Sequence, residues 1–228
     1  MKLLLSIKEI KDSLWPEWLK DTFSDNLLSC FLHGDCLMQG FTPMNTPWLV
    51  SFILRKNDPA HLAELQPLVK KAKENGIEFG YFFTKESIAA SQDTFPLEFL
   101  HISQKHELIA GEEPLAGYVP DKKALRLECE RELRGLLVHL RRDFVYMQQG
   151  HTKLEFFLSA DAHSMPVLYG AEYLLKGIYP RGREDIYTAY PDLRVEPPVG
   201  DEKIILDRAE RYMNAIEKIT DVIDTLEV

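Results

Sequence analysis

Acidic side chains beside apolar runs are the residues of this sequence with the most evident chemistry. Asp35 follows the apolar run 27–33, while Asp93 and Glu98 flank the start of the run 95–102. Carboxylates bind magnesium, and carboxylates on alternate residues of a strand point to the same side of a sheet, which brings two metal ions together. An unconventional cluster of Asp35, Asp93 and Glu98 is therefore one candidate for a magnesium-dependent catalytic site.

Gly34 marks the end of the first apolar strand, in the sequence Phe31-Leu32-His33-Gly34-Asp35, and the segment 41–50 leads into a second strand. This order resembles the DNA polymerase beta type nucleotidyltransferase superfamily. In that family one strand ends in Gly-Ser or a close variant, and the next carries an Asp-x-Asp pair that holds two magnesium ions. The resemblance implies a nucleotidyltransferase-like mixed sheet, with Gly34 and Asp35 at the Gly-Ser position.

The Asp-x-Asp pair of the family has no acidic counterpart in this chain. Alignment of the strand ends places Thr46 and Trp48 at the two positions, and a slip of one residue places Pro47 and Leu49 there. Thr46 offers one neutral hydroxyl, and Trp48 would fill the space that a magnesium ion and its waters need. The metal site is therefore predicted to be degenerate, with no metal bound and no two-metal catalysis.

The segment 93–102 resembles an Asp-x-Phe-Pro-x-Glu-Phe pattern of bacterial members of the superfamily, which runs into the strand with the third carboxylate. The resemblance implies that Glu98 faces the cleft. The alternative is a strand-face carboxylate in water or paired with a base.

The segment 125–146 is similar to the first helix of the all-α domain that often follows this catalytic domain, and Arg126 would then meet a nucleotide phosphate. We favour the alternative of a solvated helix face with pairs such as Glu130 and Arg134. The candidate ligand-binding residues are Gly34, Asp35, Thr46, Glu98 and Arg126.

Histidines of the second half suggest two rival sites. Arg134 and His139 have the Arg-x4-His spacing of HEPN ribonucleases, but His139 lies beside an apolar stripe, so a structural or surface histidine is favoured. Glu155, Asp161 and His163 do not share one face of a helix, so a metal site is not favoured. The sequence contains no nucleophile elbow, Walker loop or dinucleotide-binding glycine motif.

The elements that must position these residues follow from apolar spacing. We predict helices over 6–23, 60–73 and 84–91, the last with Thr84 as its N-cap, and strands over 27–33, 48–54, 77–83 and 95–102. The segment 111–120 has the composition of a linker. The fold class is an α/β mixed-sheet domain at 1–118.

An all-α helical bundle is predicted at 119–228. Apolar residues recur at three- and four-residue steps from Leu125 to Met147, a second helix covers 154–175, and a regular stripe runs from Ile205 to Leu226. This last stripe either closes the bundle of its own chain, which we favour, or packs against a second chain.

Composition limits the classes of function. With 36 acidic and 27 basic residues the net charge is -9, so a nucleic-acid partner is not expected. No apolar segment approaches a membrane span, and the odd number of cysteines indicates reduced thiols, so we predict a cytoplasmic protein.

These patterns leave three hypotheses of function. The first is a nucleotidyltransferase-like protein that binds a nucleotide-like small molecule or a protein partner without catalysis. The second is an active transferase that uses Asp35, Asp93 and Glu98, and magnesium is expected as a cofactor only in that case. The third is an interaction protein, for instance a homodimer, that uses the stripe from Ile205 to Leu226.

Overall fold

A computed structural model describes residues 3–38, 41–44, 46–147, 151–195 and 202–228. The chain forms two compact units. The first contains residues 1–92 and 98–119, and the second contains 93–97 and 120–228. The division between residues 118 and 119 remains a prediction, and the segment 93–97 groups with the second unit.

The first unit is built on a four-stranded mixed sheet in the order β3-β2-β1-β4. β1 is antiparallel to β2 and β4, and β2 is parallel to β3. The strands are β1 Leu27–His33, β2 Trp48–Leu54, β3 Ile77–Thr84 and β4 His106–Gly111. The helices are α1 Ile7–Lys11, α2 Trp15–Phe23, α3 Pro59–Ala63, α4 Gln66–Glu74, α5 Lys85–Ala90 and α6 Pro96–Gln104.

The two faces of this sheet pack against different helices because side chains alternate along each strand. Leu32, Val50 and Phe52 join the core under α2 and α4. Phe31 and Ile53 face the other way and pack with a smaller cluster from α5 and α6. Every residue near the end of β1 therefore belongs to one of two distinct environments.

Three predicted elements differ from the structure, and proline explains most of the difference. The helices predicted over 6–23 and 60–73 are each divided in two, because Pro16 and Pro67 start new helices at α2 and α4. The strand predicted over 95–102 is wrong, since these residues form α6, which begins at Pro96. β4 was not predicted, because His106 and Glu107 interrupt its apolar pattern at the edge of the sheet.

The second unit is a helical bundle of α7 Lys122–Tyr146, α8 His151–Lys176, α9 Arg183–Ala189 and α10 Glu202–Asp224. α7 packs along both α8 and α10. The stripe of α10 is buried within its own unit from Ile205 to Ile223. The predicted fold class, a mixed α/β sheet domain followed by an all-α bundle, is confirmed. Among the helices of the described ranges, none is both long and apolar enough to cross a membrane.

Candidate functional site

The end of β1 lies beside the start of β2, since Leu32 pairs with Val50 in the antiparallel register. Gly34 follows with φ +76 and opens a 3₁₀ turn over Gly34–Leu37. A Cβ on Gly34 would meet only Leu49 Cδ2, at 3.6 Å. The positive φ, rather than lack of space, is what favours glycine at this turn.

Trp48 faces the main core instead of the opposite face of the sheet. Its side chain is 4% exposed, its Nε1–H donates to the Leu4 carbonyl at 2.8 Å, and its ring lies 4.6 Å from that of Phe41. Thr46 is exposed in a bend before β2, and its backbone N–H donates to the Thr42 carbonyl at 3.2 Å. The side chain of Trp48 therefore supports the fold, on the face that packs against α2 and α4.

A buried His33–Ser51 pair occupies the other face at the end of β1. His33 Nε2 and Ser51 Oγ lie 2.7 Å apart on neighbouring strands, and both residues are buried. Ser51 Oγ also accepts the backbone N–H of Tyr81 at 2.7 Å. The hydroxyl is thus bonded on both sides, as a buried polar group must be if its desolvation is to be offset.

Tyr81 reaches Ser51 because β3 contains a bulge. Val50 pairs with Phe79 and Phe52 pairs with Phe82, so β3 has one residue more than β2 between these pairs. Gly80 is required there, since a Cβ at this position would lie 2.7 Å from Ser51 Oγ. Bulges of this kind redirect a side chain and are frequent beside functional sites.

The Tyr81 ring stacks on the imidazole of His33, with centroids 5.4 Å apart and planes at 23°. Tyr81 itself remains 42% exposed. Burial raises the pKa of the Tyr81 phenol, and the nearby negative charge of Glu98 raises it further. Glu98, in the first turn of α6, is therefore the predicted site carboxylate that acts electrostatically on this group.

Burial lowers the pKa of His33 from its ordinary value of 6.5 to about 4. The imidazole is neutral near pH 7, and so is the hydroxyl that it contacts. This pair therefore offers no negatively charged ligand to a metal ion.

The predicted site residues do not all come together in one unit. Asp35 is exposed in the 3₁₀ turn, and Asp93 is exposed in a turn of the segment that groups with the second unit.

Arg126 lies on α7, where its Nη1 donates to Glu130 and to the carbonyls of Ile223 and Asp224. It thereby caps the C-terminus of α10. Within the described residues no three His, Cys, Asp or Glu side chains form a group that could hold a metal ion.

The functional candidates that sequence patterns missed are His33, Ser51 and Tyr81. The available signal was polarity within buried strands, since His33 and Ser51 each interrupt an apolar run. A buried hydroxyl and a buried imidazole need partners, and adjacent antiparallel strands can supply them to each other. The bulge that brings in Tyr81 has no equally clear signal besides Gly80.

Acidification is expected to destabilise the protein through His33. The folded state keeps this imidazole neutral down to about pH 4, whereas the unfolded chain takes up a proton near 6.5, so stability falls as pH drops between these values. Between pH 7 and pH 5 the free energy of unfolding falls by about 2 kcal/mol because of His33. Urea unfolding at both pH values should show this loss in the wild type and a smaller loss in His33→Gln. The exposed-site control His139→Gln should retain the full loss, and equal losses in all three proteins would contradict the assignment.

Comparison with solved structures finds a likeness of fold. No family model matches the chain, and no curated protein matches it. A solved structure that resembles it is that of a nucleotidyltransferase-like protein from Exiguobacterium sibiricum 255-15. The superposition has a TM-score of 0.37 and 12% sequence identity, and it covers 93% of this chain and 74% of that chain. Function is accordingly inferred from the residues of this chain.

Proposed function

We propose that this chain is a nucleotidyltransferase-like protein in which two-metal catalysis has been lost and binding of a nucleotide-like ligand is retained in the first unit. The His33–Ser51 pair is the observation that carries the proposal. It places a neutral, buried hydrogen bond at the end of β1 next to Gly34, where neither side chain offers a carboxylate to a metal ion. The first two residues of β2, Trp48 and Leu49, carry no charge either.

The ligand surface that we propose is the ring of Tyr81 together with Glu98 and the turn that begins at Gly34. An exposed tyrosine ring can stack on any of the nucleobases, because every base has a π-face. Glu98 would accept hydrogen bonds from ribose hydroxyls or an exocyclic amine. His33 and Ser51 act here as positioning residues, since they hold the ring and the backbone of Tyr81.

Titration calorimetry with ATP, GTP, CTP and UTP, each with magnesium and with EDTA, tests this function. We expect saturable binding of at least one nucleotide whose affinity changes little when magnesium is removed, together with no release of pyrophosphate. Tyr81→Ala should weaken binding about tenfold, the loss typical of one stacking platform, while Tyr81→Phe keeps the ring and should bind as wild type.

Three results would contradict the proposal. Binding that requires magnesium and is followed by turnover would favour the active transferase. Loss of that turnover in Glu98→Ala would assign the activity to the cluster of Asp35, Asp93 and Glu98. Binding that is equal in Tyr81→Ala and wild type would exclude the surface around Tyr81. No nucleotide binding at all would leave the first unit without the proposed function.

A further inference from the structure

A second candidate site lies within the helical bundle and is independent of the proposed function. A groove of about 580 Å³ runs between the C-terminal half of α7 and the N-terminal half of α8. Leu136, Leu140, Phe156 and Val167 are buried or nearly buried and form its apolar lining. This volume is in the range of small-molecule sites, which are typically apolar with a few polar groups.

Gly135 keeps this groove open at a cost to the helix. It lies in the interior of α7 and lines the groove. Glycine inside a helix is destabilising relative to alanine, and close packing is the usual reason to find it there. A Cβ at Gly135, however, would meet nothing within 4 Å. Packing therefore does not explain this glycine, whereas the need for space in the groove does.

The polar groups of the groove favour a cation. Three carboxylates line it, those of Glu132, Asp143 and Glu155, against the single guanidinium of Arg142. Arg142 pairs with Asp143 at 2.7 Å, and Glu132 pairs with Arg131 at 3.1 Å. Among the residues that the structure describes, Glu155 has no ion-pair or hydrogen-bond partner, so its charge is available to a ligand.

His163 supplies an acceptor on the same side of α8 as Glu155. The two residues are eight apart, about 12 Å along the helix axis and about 80° around it, and both line the groove. His163 Nδ1 lies 2.7 Å from the Ser159 carbonyl, to which it donates. In the neutral imidazole this bond leaves the lone pair on Nε2, which can accept a hydrogen bond from an ammonium N–H. The nearby ring of Tyr146 adds a π-face for a cation.

We propose that this groove binds a small organic cation, in which a protonated amine is attached to an apolar body. The ammonium group pairs with Glu155, and the apolar body lies on Leu136, Leu140 and Phe156. A neutral molecule of the same shape lacks the ion pair, and an anion is repelled by the unpaired carboxylate of Glu155. The site thus selects by charge as well as by shape.

Calorimetric titration of the full chain with 2-phenylethylamine, which is protonated near neutral pH, tests the site. The matched probes are the neutral 2-phenylethanol and the anionic 3-phenylpropionate. We expect saturable binding of the amine with a dissociation constant of about 1 mM, as suits a ligand of this size. The alcohol should bind at least about threefold more weakly, and the anion should not bind.

Gly135→Leu is the variant that tests the location. Its side chain fills open space and replaces a helix-destabilising glycine, so the protein should melt at or above the wild-type temperature while binding of the amine is lost. Glu155→Gln should weaken amine binding about threefold to tenfold. Glu210→Gln on α10 removes the same charge outside the groove and should bind the amine as wild type.

Four outcomes would overturn the proposal. They are no saturable amine binding at tens of millimolar, equal affinity for the amine and the alcohol, unchanged amine binding in a folded Gly135→Leu, and equal effects of Glu155→Gln and Glu210→Gln. Each of these outcomes leaves the nucleotide titration of the first unit unaffected, so the two proposals fail separately.

Discussion

Replacement of Trp48 by aspartate is expected to unfold the first unit. Truncation of a buried tryptophan removes about 3–5 kcal/mol of stability, and an unpaired buried carboxylate adds a further penalty. The bond from the indole N–H to the Leu4 carbonyl is lost as well. The sum of about 5 kcal/mol or more approaches the whole stability of a typical domain.

The matched control for Trp48→Asp is Thr46→Asp, two residues earlier and exposed. A surface substitution of this kind usually changes stability by at most about 0.5 kcal/mol. Urea unfolding followed by near-ultraviolet circular dichroism should separate the two variants clearly. A folded Trp48→Asp protein with wild-type stability would show that this position does not face the core.

Asp161→Ala is expected to be the most damaging single change in the second unit. The Asp161 carboxylate is buried on α8, receives the Nε–H of Arg183 at 2.9 Å and the hydroxyl of Tyr187 at 2.7 Å, and thereby holds α9 against α8. Removal of one partner of a buried pair costs about 3–5 kcal/mol, because the other partner is left uncompensated. The thermal midpoint of the protein should fall accordingly.

Asp185→Ala on α9 provides the control for this change. Asp185 pairs with Arg181, whose side chain is 91% exposed, so its removal should leave the thermal midpoint nearly unchanged. Similar losses in Asp161→Ala and Asp185→Ala would contradict the importance assigned to burial. A stable Asp161→Ala protein would mean that α9 is held mainly by its apolar contacts.

The bundle was predictable from sequence because the segments of α7 and α10 have long, regular apolar stripes. Seven or more apolar positions at steps of three and four leave few alternatives to a buried helix face. The shorter elements of the first unit are less determined. Residues 95–102 contain apolar side chains that suit a strand or a helix, and Pro96 at the first helical position decides between them.

The candidate site was only partly predictable, since motif comparison finds positions along the chain but not the direction of side chains. Gly34 and Glu98 were predicted candidates, and the structure places the charge of Glu98 near Tyr81. The face on which Trp48 lies depends on the register of β2 against β1, which spacing alone does not give. The contact between Ser51 and Tyr81 depends on a bulge, which shifts the alternation of β3 locally.

That bulge bears on how the length of β3 can vary in evolution. Phe79 and Phe82 both join the main core, while Tyr81 and Phe83 contact residues of the opposite face. Gly80 is the extra residue between these sets, so a chain that lacked it would alternate regularly and send every aromatic ring to its present face. A deletion at Gly80 is thus compatible with packing in the present register, whereas an insertion beside it would keep the alternation only by shifting the residues that follow by two positions along β2. The core tolerates the shorter strand, and only the link from Tyr81 to Ser51 and His33 depends on the longer one.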